Sequence, residues 1–189
     1  MDTRITLRKT FGHLITILTH KYWVFHYCRM LGITWRGVTH DLSKFHPTEF
    51  WESVRYWNGK SSPIPRCKED KGYSIAWQHH KGHNTHHYEY WIDNLDRGGT
   101  PIKMPWNDLL ELIADWLGAG SAYLGRKFTL QGEVDWFENK IQNEHPKIHP
   151  ATENMIRIML GRFEEHPEYL RWFRGSELKK LWNEEYNKM

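Results

Sequence analysis

Six side chains between residues 13 and 31 recur at helical spacing: His13, Ile17, His20, Val24, Tyr27 and Leu31, at offsets 0, 4, 7, 11, 14 and 18. A stripe with that period must be buried against other helices, so the opening segment commits the chain to helix packing. Two of the six are histidines, and burial of the stripe carries His20 into the interior. The spacing predicts a helix over about Thr3 to Leu31, ended by Gly32 in the usual C-terminal position, with His26 pointing away.

The next segment supplies the densest chemistry. Thr39-His40-Asp41-Leu42-Ser43-Lys44 places an imidazole, a carboxylate and a cation close together. A helix over Trp35 to Phe45, with Trp35, Val38, Leu42 and Phe45 inward, would deliver His40 and Asp41. Pro47 restarts the chain in a helix to Trp57, since proline suits a first helical turn. Residues 58–72 read as a long loop and a candidate lid over a site. A helix over Tyr73 to Lys81 follows, then Thr85 as the cap of another over His86 to Leu95. This region holds His79, His80, His83, His86 and His87 among Tyr73, Trp77, Tyr88, Tyr90 and Trp91, which points to a folded rather than a solvated histidine run.

Pro105 opens a helix to about Leu117 with Leu109, Leu112, Ile113 and Trp116 inward. Asp108, Glu111 and Asp115 share its adjoining face. The helix dipole accounts for acidic residues in a first turn, which covers Asp108 and extends to Glu111, but a carboxylate late in the helix wants a cation. Gly118-Ala119-Gly120 reads as a bend. Helices are expected over 128–142 and 152–163, the latter capped by Thr152, and a peripheral helical segment over 167–189. With no repeat and no convincing strand, the chain is all-α, organised as a domain over residues 1–162 and a C-terminal extension over 163–189.

Composition narrows the function. Eleven Trp, nine Tyr and eight Phe exclude disorder over most of the length, and the formal charge of +3 suits an anionic ligand. Lys and Arg are scattered, which disfavours nucleic acid as the main partner. Cys28 and Cys67 lack metal-type spacing and read as free thiols of a reducing compartment. No signal peptide or membrane span is evident, so a cytoplasmic location is expected.

Taken together, His20, His40-Asp41, the paired histidines and Asp115 within Leu-Ile-Ala-Asp-Trp-Leu resemble the HD-domain superfamily of metal-dependent phosphohydrolases. The pattern, with Asn84-Thr85-His86-His87-Tyr88-Glu89-Tyr90-Trp91, also resembles an uncharacterised HD-like family of bacterial and phage proteins over most of residues 10–160. The resemblance implies an HD-like helical bundle in which His20, His40, Asp41 and Asp115 bind one divalent cation. His80 and His87, and after them His86, would add ligands for a second, with Asp41 as the bridge. The ion, Mn, Fe, Mg, Ni or Zn, would activate a water for attack on a nucleotide or similar phosphate ester. Asp41, Lys44 and His86 are then the candidate catalytic residues, His86 as a proton donor, and Lys44, Lys81, Asn84 and Trp91 the candidate substrate contacts. Trp77 is a further candidate for stacking on a base.

Two other functions fit the same residues. Extra histidines on an HD-like scaffold could build a diiron oxygenase, and a site turned structural would leave a non-catalytic interaction or nucleic-acid-binding protein. A homodimer is compatible with each.

Overall fold

The computed structural model describes residues 2–189 and is all-α: ten α-helices account for most of the described residues. The first, α1 (Leu7–Met30), is capped by Thr6, whose side chain accepts from the Lys9 backbone N–H. All six residues of the expected stripe are buried, His13 and His20 among them. Against this stripe lies α6 (Trp106–Leu124), buried on nearly every side from Asp108 to Gly118, which makes it the central helix.

The expected bend at 118–120 is absent, and α6 runs straight through it. A Cβ on Gly118 would stand 2.5 Å from Val24 Cγ2 and 3.0 Å from the Val24 backbone N, so the glycine lets two backbones approach rather than ending a helix. Asp115 consequently sits in mid-helix and not in a last turn. Gly118→Ala is expected to push α1 and α6 apart at the point where they hold His20 and Asp115. Overpacking of this kind costs about 1 to 3 kcal/mol, which thermal denaturation will read as a lowered midpoint.

Between them, α2 (Thr34–Thr39) stops earlier than expected, and the helix anticipated over 35–45 is broken at the His-Asp doublet. His40 is extended (φ −50, ψ 131) and Asp41 is left-handed (φ 53, ψ 31), before a single 3-10 turn at Leu42–Phe45. Consecutive residues of a continuous helix diverge by about 100°, so His40 and Asp41 could not both face one point without this break. The expected inward stripe fails with it: Trp35, Val38, Leu42 and Phe45 are all exposed.

Next come α3 (Pro47–Tyr56), α4 (Pro63–Lys71) and α5 (Ile75–His83). The long loop expected over 58–72 is therefore mostly helix, with Ser62 capping and Pro63 in the first turn, where it forgoes only an N–H that would lack a partner. The helix expected over 86–95 does not form. Residues 84–87 are irregular, a 3-10 turn covers Tyr88–Trp91, and a two-residue ribbon pairs β1 (Ile92–Asp93) with β2 (Thr100–Pro101). Thr85 caps nothing there; its hydroxyl donates to Asp108.

The chain closes with α7 (Leu130–Glu144), α8 (Pro150–Glu165), α9 (Pro167–Trp172) and α10 (Glu177–Lys188). His149, not Thr152, caps α8, and the Thr152 hydroxyl instead accepts from the Met104 N–H in the core. The C-terminal segment is helical, as expected, and its Phe173, Trp182 and Tyr186 join the same core cluster as Val24 and Leu112. Among the described residues no helix is long and apolar enough to cross a membrane.

Candidate metal centre

Four elements bring their polar side chains to one buried point: His20 from α1, His40 and Asp41 from the break after α2, His80 from α5 with His86 and His87 beyond it, and Asp115 from α6. All are buried. The two oxygens of Asp41 face opposite ways. Oδ2 lies 3.5 Å from His20 Nε2 and 3.2 Å from His40 Nε2, and Oδ1 lies 3.4 Å from both His80 Nε2 and His86 Nε2. Asp115 Oδ1 completes the first side at 3.0 Å from His20 Nε2 and 3.3 Å from His40 Nε2.

Three donor groups result, His20–His40–Asp41–Asp115, Asp41–His80–His86–His87 and, behind them, His40–His86–Glu111, with the ligand atoms of each within 4.8 Å of one another; the first two face Asp41. Asp41 belongs to both of these. His86, expected as a proton donor, is placed among the donors of the second group.

Carboxylates behind the histidines set their tautomers. Glu111 Oε1 lies 2.9 Å from His40 Nδ1 and 3.3 Å from His86 Nδ1, and Glu49 Oε2 lies 2.8 Å from His80 Nδ1. An ionised carboxylate only accepts, so each Nδ1 carries a proton and each Nε2 is the nitrogen directed at Asp41. Such partners orient metal-binding imidazoles and raise their basicity. Glu111 is held in turn by Arg36, whose Nε donates to its Oε2 at 2.6 Å while Nη2 pairs with Asp108.

Neither Glu49 nor Arg36 carries a sequence signal of a site residue, and Glu111 falls where the helix dipole already accounts for an acidic side chain. The usable signal was that Glu111 lies one turn before Asp115 on the same face.

The centre fits a cation. Oδ1 of buried Asp41 and the Nε2 atoms of His86 and His87 have no hydrogen-bond partner, an expensive arrangement unless an ion occupies the space they face, while Oδ2 is paired with the Lys44 ammonium. Burial works against charge on Asp41 and Asp115. For Asp41 the His40 and Lys44 charges outweigh burial, and for Asp115 the hydrogen bonds from His20 and His40 do; both carboxyls stay well below the usual carboxylate range. Burial likewise opposes protonation of His40, yet the charge of Asp41 and bonds to the surrounding carboxylates hold its pKa well above the ordinary value. The cluster thus draws positive charge inward. His87, pushed down by burial and by His86 and His80, remains neutral with its Nε2 free.

A cavity of about 190 Å³ opens onto the first group between His20, Lys44, His80 and Asp115 on one side and Ile64 and Trp77 on the other. Lys44 Nζ lies 2.5 Å from Asp41 Oδ2. The segment anticipated as a lid does contribute to this wall, through Ser62, Pro63 and Ile64. Of the other expected substrate contacts, Asn84 is spent on positioning, its Nδ2 donating to Ser43 Oγ and the His80 carbonyl. Trp91 packs against the core and donates to the Thr85 carbonyl, and Lys81 lines neither this cavity nor the adjoining groove. His79 bonds Glu49 and stacks on His83, and neither belongs to a donor group.

Beyond the cavity a wider groove of about 760 Å³ runs past Trp77, Trp116, Trp136 and Glu133, with Lys60 and Lys68 at its edge. Burial, with the charge of Asp115 adding to it, pushes the Glu133 carboxyl up to about 8. The folded protein then binds a proton that the unfolded chain releases near pH 4.5, so stability falls as pH rises from there to about 8. Glu133→Gln is expected to be more stable than the parent at pH 8 and above by up to about 5 kcal/mol, the difference vanishing below about pH 5. Thermal melts across that range will check it.

The fold and centre together define a helical protein with buried histidine–aspartate groups positioned to hold a metal ion. The chain belongs to a family of unknown function, DUF5662, whose family model matches residues 9–162. Neither the curated proteins searched nor the solved structures contain a match.

Proposed function

We propose that the protein is a metal-dependent phosphohydrolase acting on a nucleotide or related phosphate ester. The observation that carries this reading is the division of Asp41 between two donor groups, one oxygen to each. Residues His20, His40, Asp41 and Asp115 would hold one divalent cation, and Asp41, His80, His86 and His87 a second. A cation there supplies Lewis acidity, lowering the pKa of water and offsetting charge on phosphoryl oxygens.

The chain's own residues would do the rest. Lys44, at the cavity wall beside Asp41, places a fixed positive charge where a phosphoryl group would enter. Glu49 and Glu111 hold the histidine rings in orientation, and the apolar wall of Pro63, Ile64 and Trp77 limits water around the reacting group. The aromatic side chains of the groove suit a flat substrate.

The test is hydrolysis of a panel of nucleoside mono-, di- and triphosphates and simple phosphate esters by protein loaded in turn with Mn, Fe, Ni, Mg and Zn. Release of phosphate that chelation abolishes and re-addition of one metal restores is the expected result. The histidine-rich second group also supports a diiron oxygenase. Iron in the protein purified without oxygen, oxygen uptake on exposure and no phosphate release from any ester would replace the first reading with that one.

A further inference from the structure

The face of α1 opposite the buried stripe is also apolar. Leu7, Phe11, Ile15, Leu18 and Tyr22 are 77, 60, 63, 52 and 62% exposed. At about 100° per residue these five fall within a wedge of about 80°, so they form one strip roughly 22 Å long. A single exposed leucine needs no explanation, but five large side chains aligned on one uncovered face do.

Four of the five side chains are placed symmetrically along the helix, and the fifth, Ile15, lies next to the midpoint. Leu7 and Tyr22, and Phe11 and Leu18, are equidistant from a point between Leu14 and Ile15. Two copies laid antiparallel would therefore set Leu7 of each against Tyr22 of the other, Phe11 against Leu18, and the two Ile15 side chains together at the axis. This is the self-complementarity that a two-fold contact demands. The area suffices as well: five such side chains at these exposures offer about 600 Å² of apolar surface. With the usual apolar share of a homodimer contact, that corresponds to about 900 Å² per copy, above the roughly 800 Å² of a standard interface.

We infer that the exposed strip Leu7–Phe11–Ile15–Leu18–Tyr22 of α1 is the contact through which two copies of this chain form an antiparallel, two-fold dimer.

The same helix reaches the metal centre through His20 on its other side, so the dimer contact would brace α1 from behind.

Sedimentation analysis of the full chain across the micromolar range is expected to give twice the 22.9 kDa chain mass. Phe11→Glu and Ile15→Glu, each at an exposed position, should give monomers with unchanged helical content and metal content. Cysteine crosslinking sets the orientation, since native Cys28 and Cys67 are buried. Under mild oxidation Ile15→Cys should crosslink at the axis and Leu7→Cys should not. A wild-type monomer throughout the range, or a dimer that survives both glutamate variants, overturns the inference. Crosslinking of Leu7→Cys as readily as Ile15→Cys overturns the antiparallel arrangement. A monomer that co-sediments with phosphatidylglycerol vesicles through this strip assigns the face to a lipid surface instead.

Discussion

Asp41→Asn is expected to abolish metal retention while leaving the helical fold in place. Asparagine matches aspartate in size and tolerates the left-handed backbone that residue 41 adopts (φ 53), whereas alanine would add conformational strain and confuse the result. What the change removes is the carboxylate whose two oxygens serve the two donor groups, so both groups lose a charged ligand at once. If the proposed hydrolysis holds, turnover should fall roughly a thousandfold or more, equivalent to about 4 kcal/mol of barrier. Metal content measured after gel filtration and the far-UV circular dichroism spectrum separate loss of the ion from loss of the fold. Full metal content in the folded variant would remove Asp41 from the centre.

Glu111→Ala should strike stability and metal binding together. Its carboxylate holds the Nδ1 atoms of His40 and His86, one histidine from each of the groups that face Asp41, and pairs with Arg36. Removing it leaves the Arg36 charge with Asp108 alone and frees two imidazoles to take the wrong tautomer. Arg36 retains about a third of its side-chain exposure, at 33%, so the cost sits at the lower end for breaking a buried pair, about 3 kcal/mol. For a chain of this size that lowers the melting midpoint by roughly 6 to 12 °C. Metal affinity should weaken about 10- to 100-fold, the usual cost of losing an orienting carboxylate. A calorimetric scan with a metal titration reads both, and a variant that melts and binds like the parent would show that Glu111 orients nothing.

The contrast between these two residues shows how far the sequence was legible. The α1 stripe is periodic and nearly uninterrupted, so inward placement of His13 and His20 follows from spacing alone, and burial bears it out. The all-α class follows from the same kind of pattern, although α4 reads as a loop and the helix expected over 86–95 does not form. The doublet was harder. Its residues sit in a helical-looking segment, and only the break at His40–Asp41, which no propensity announces, turns both side chains inward and leaves Trp35 and Val38 outside. Gly118 misled in the opposite direction, because a glycine chosen for close packing against Val24 is indistinguishable, in one dimension, from one chosen for a bend. Glu49 and Arg36 could not be found at all, since a carboxylate that orients a histidine carries no local signature. Their roles exist only once α3 and α2 have docked against the centre.

Crystals grown with Mn(II) and measured for anomalous scattering test the central claim most directly. The account predicts an anomalous peak within bonding distance of Asp41 Oδ2, His20, His40 and Asp115, and a second beside Asp41 Oδ1, His80, His86 and His87. Manganese-replete crystals in which these side chains hold their present positions, with no anomalous density anywhere near Asp41, would contradict it.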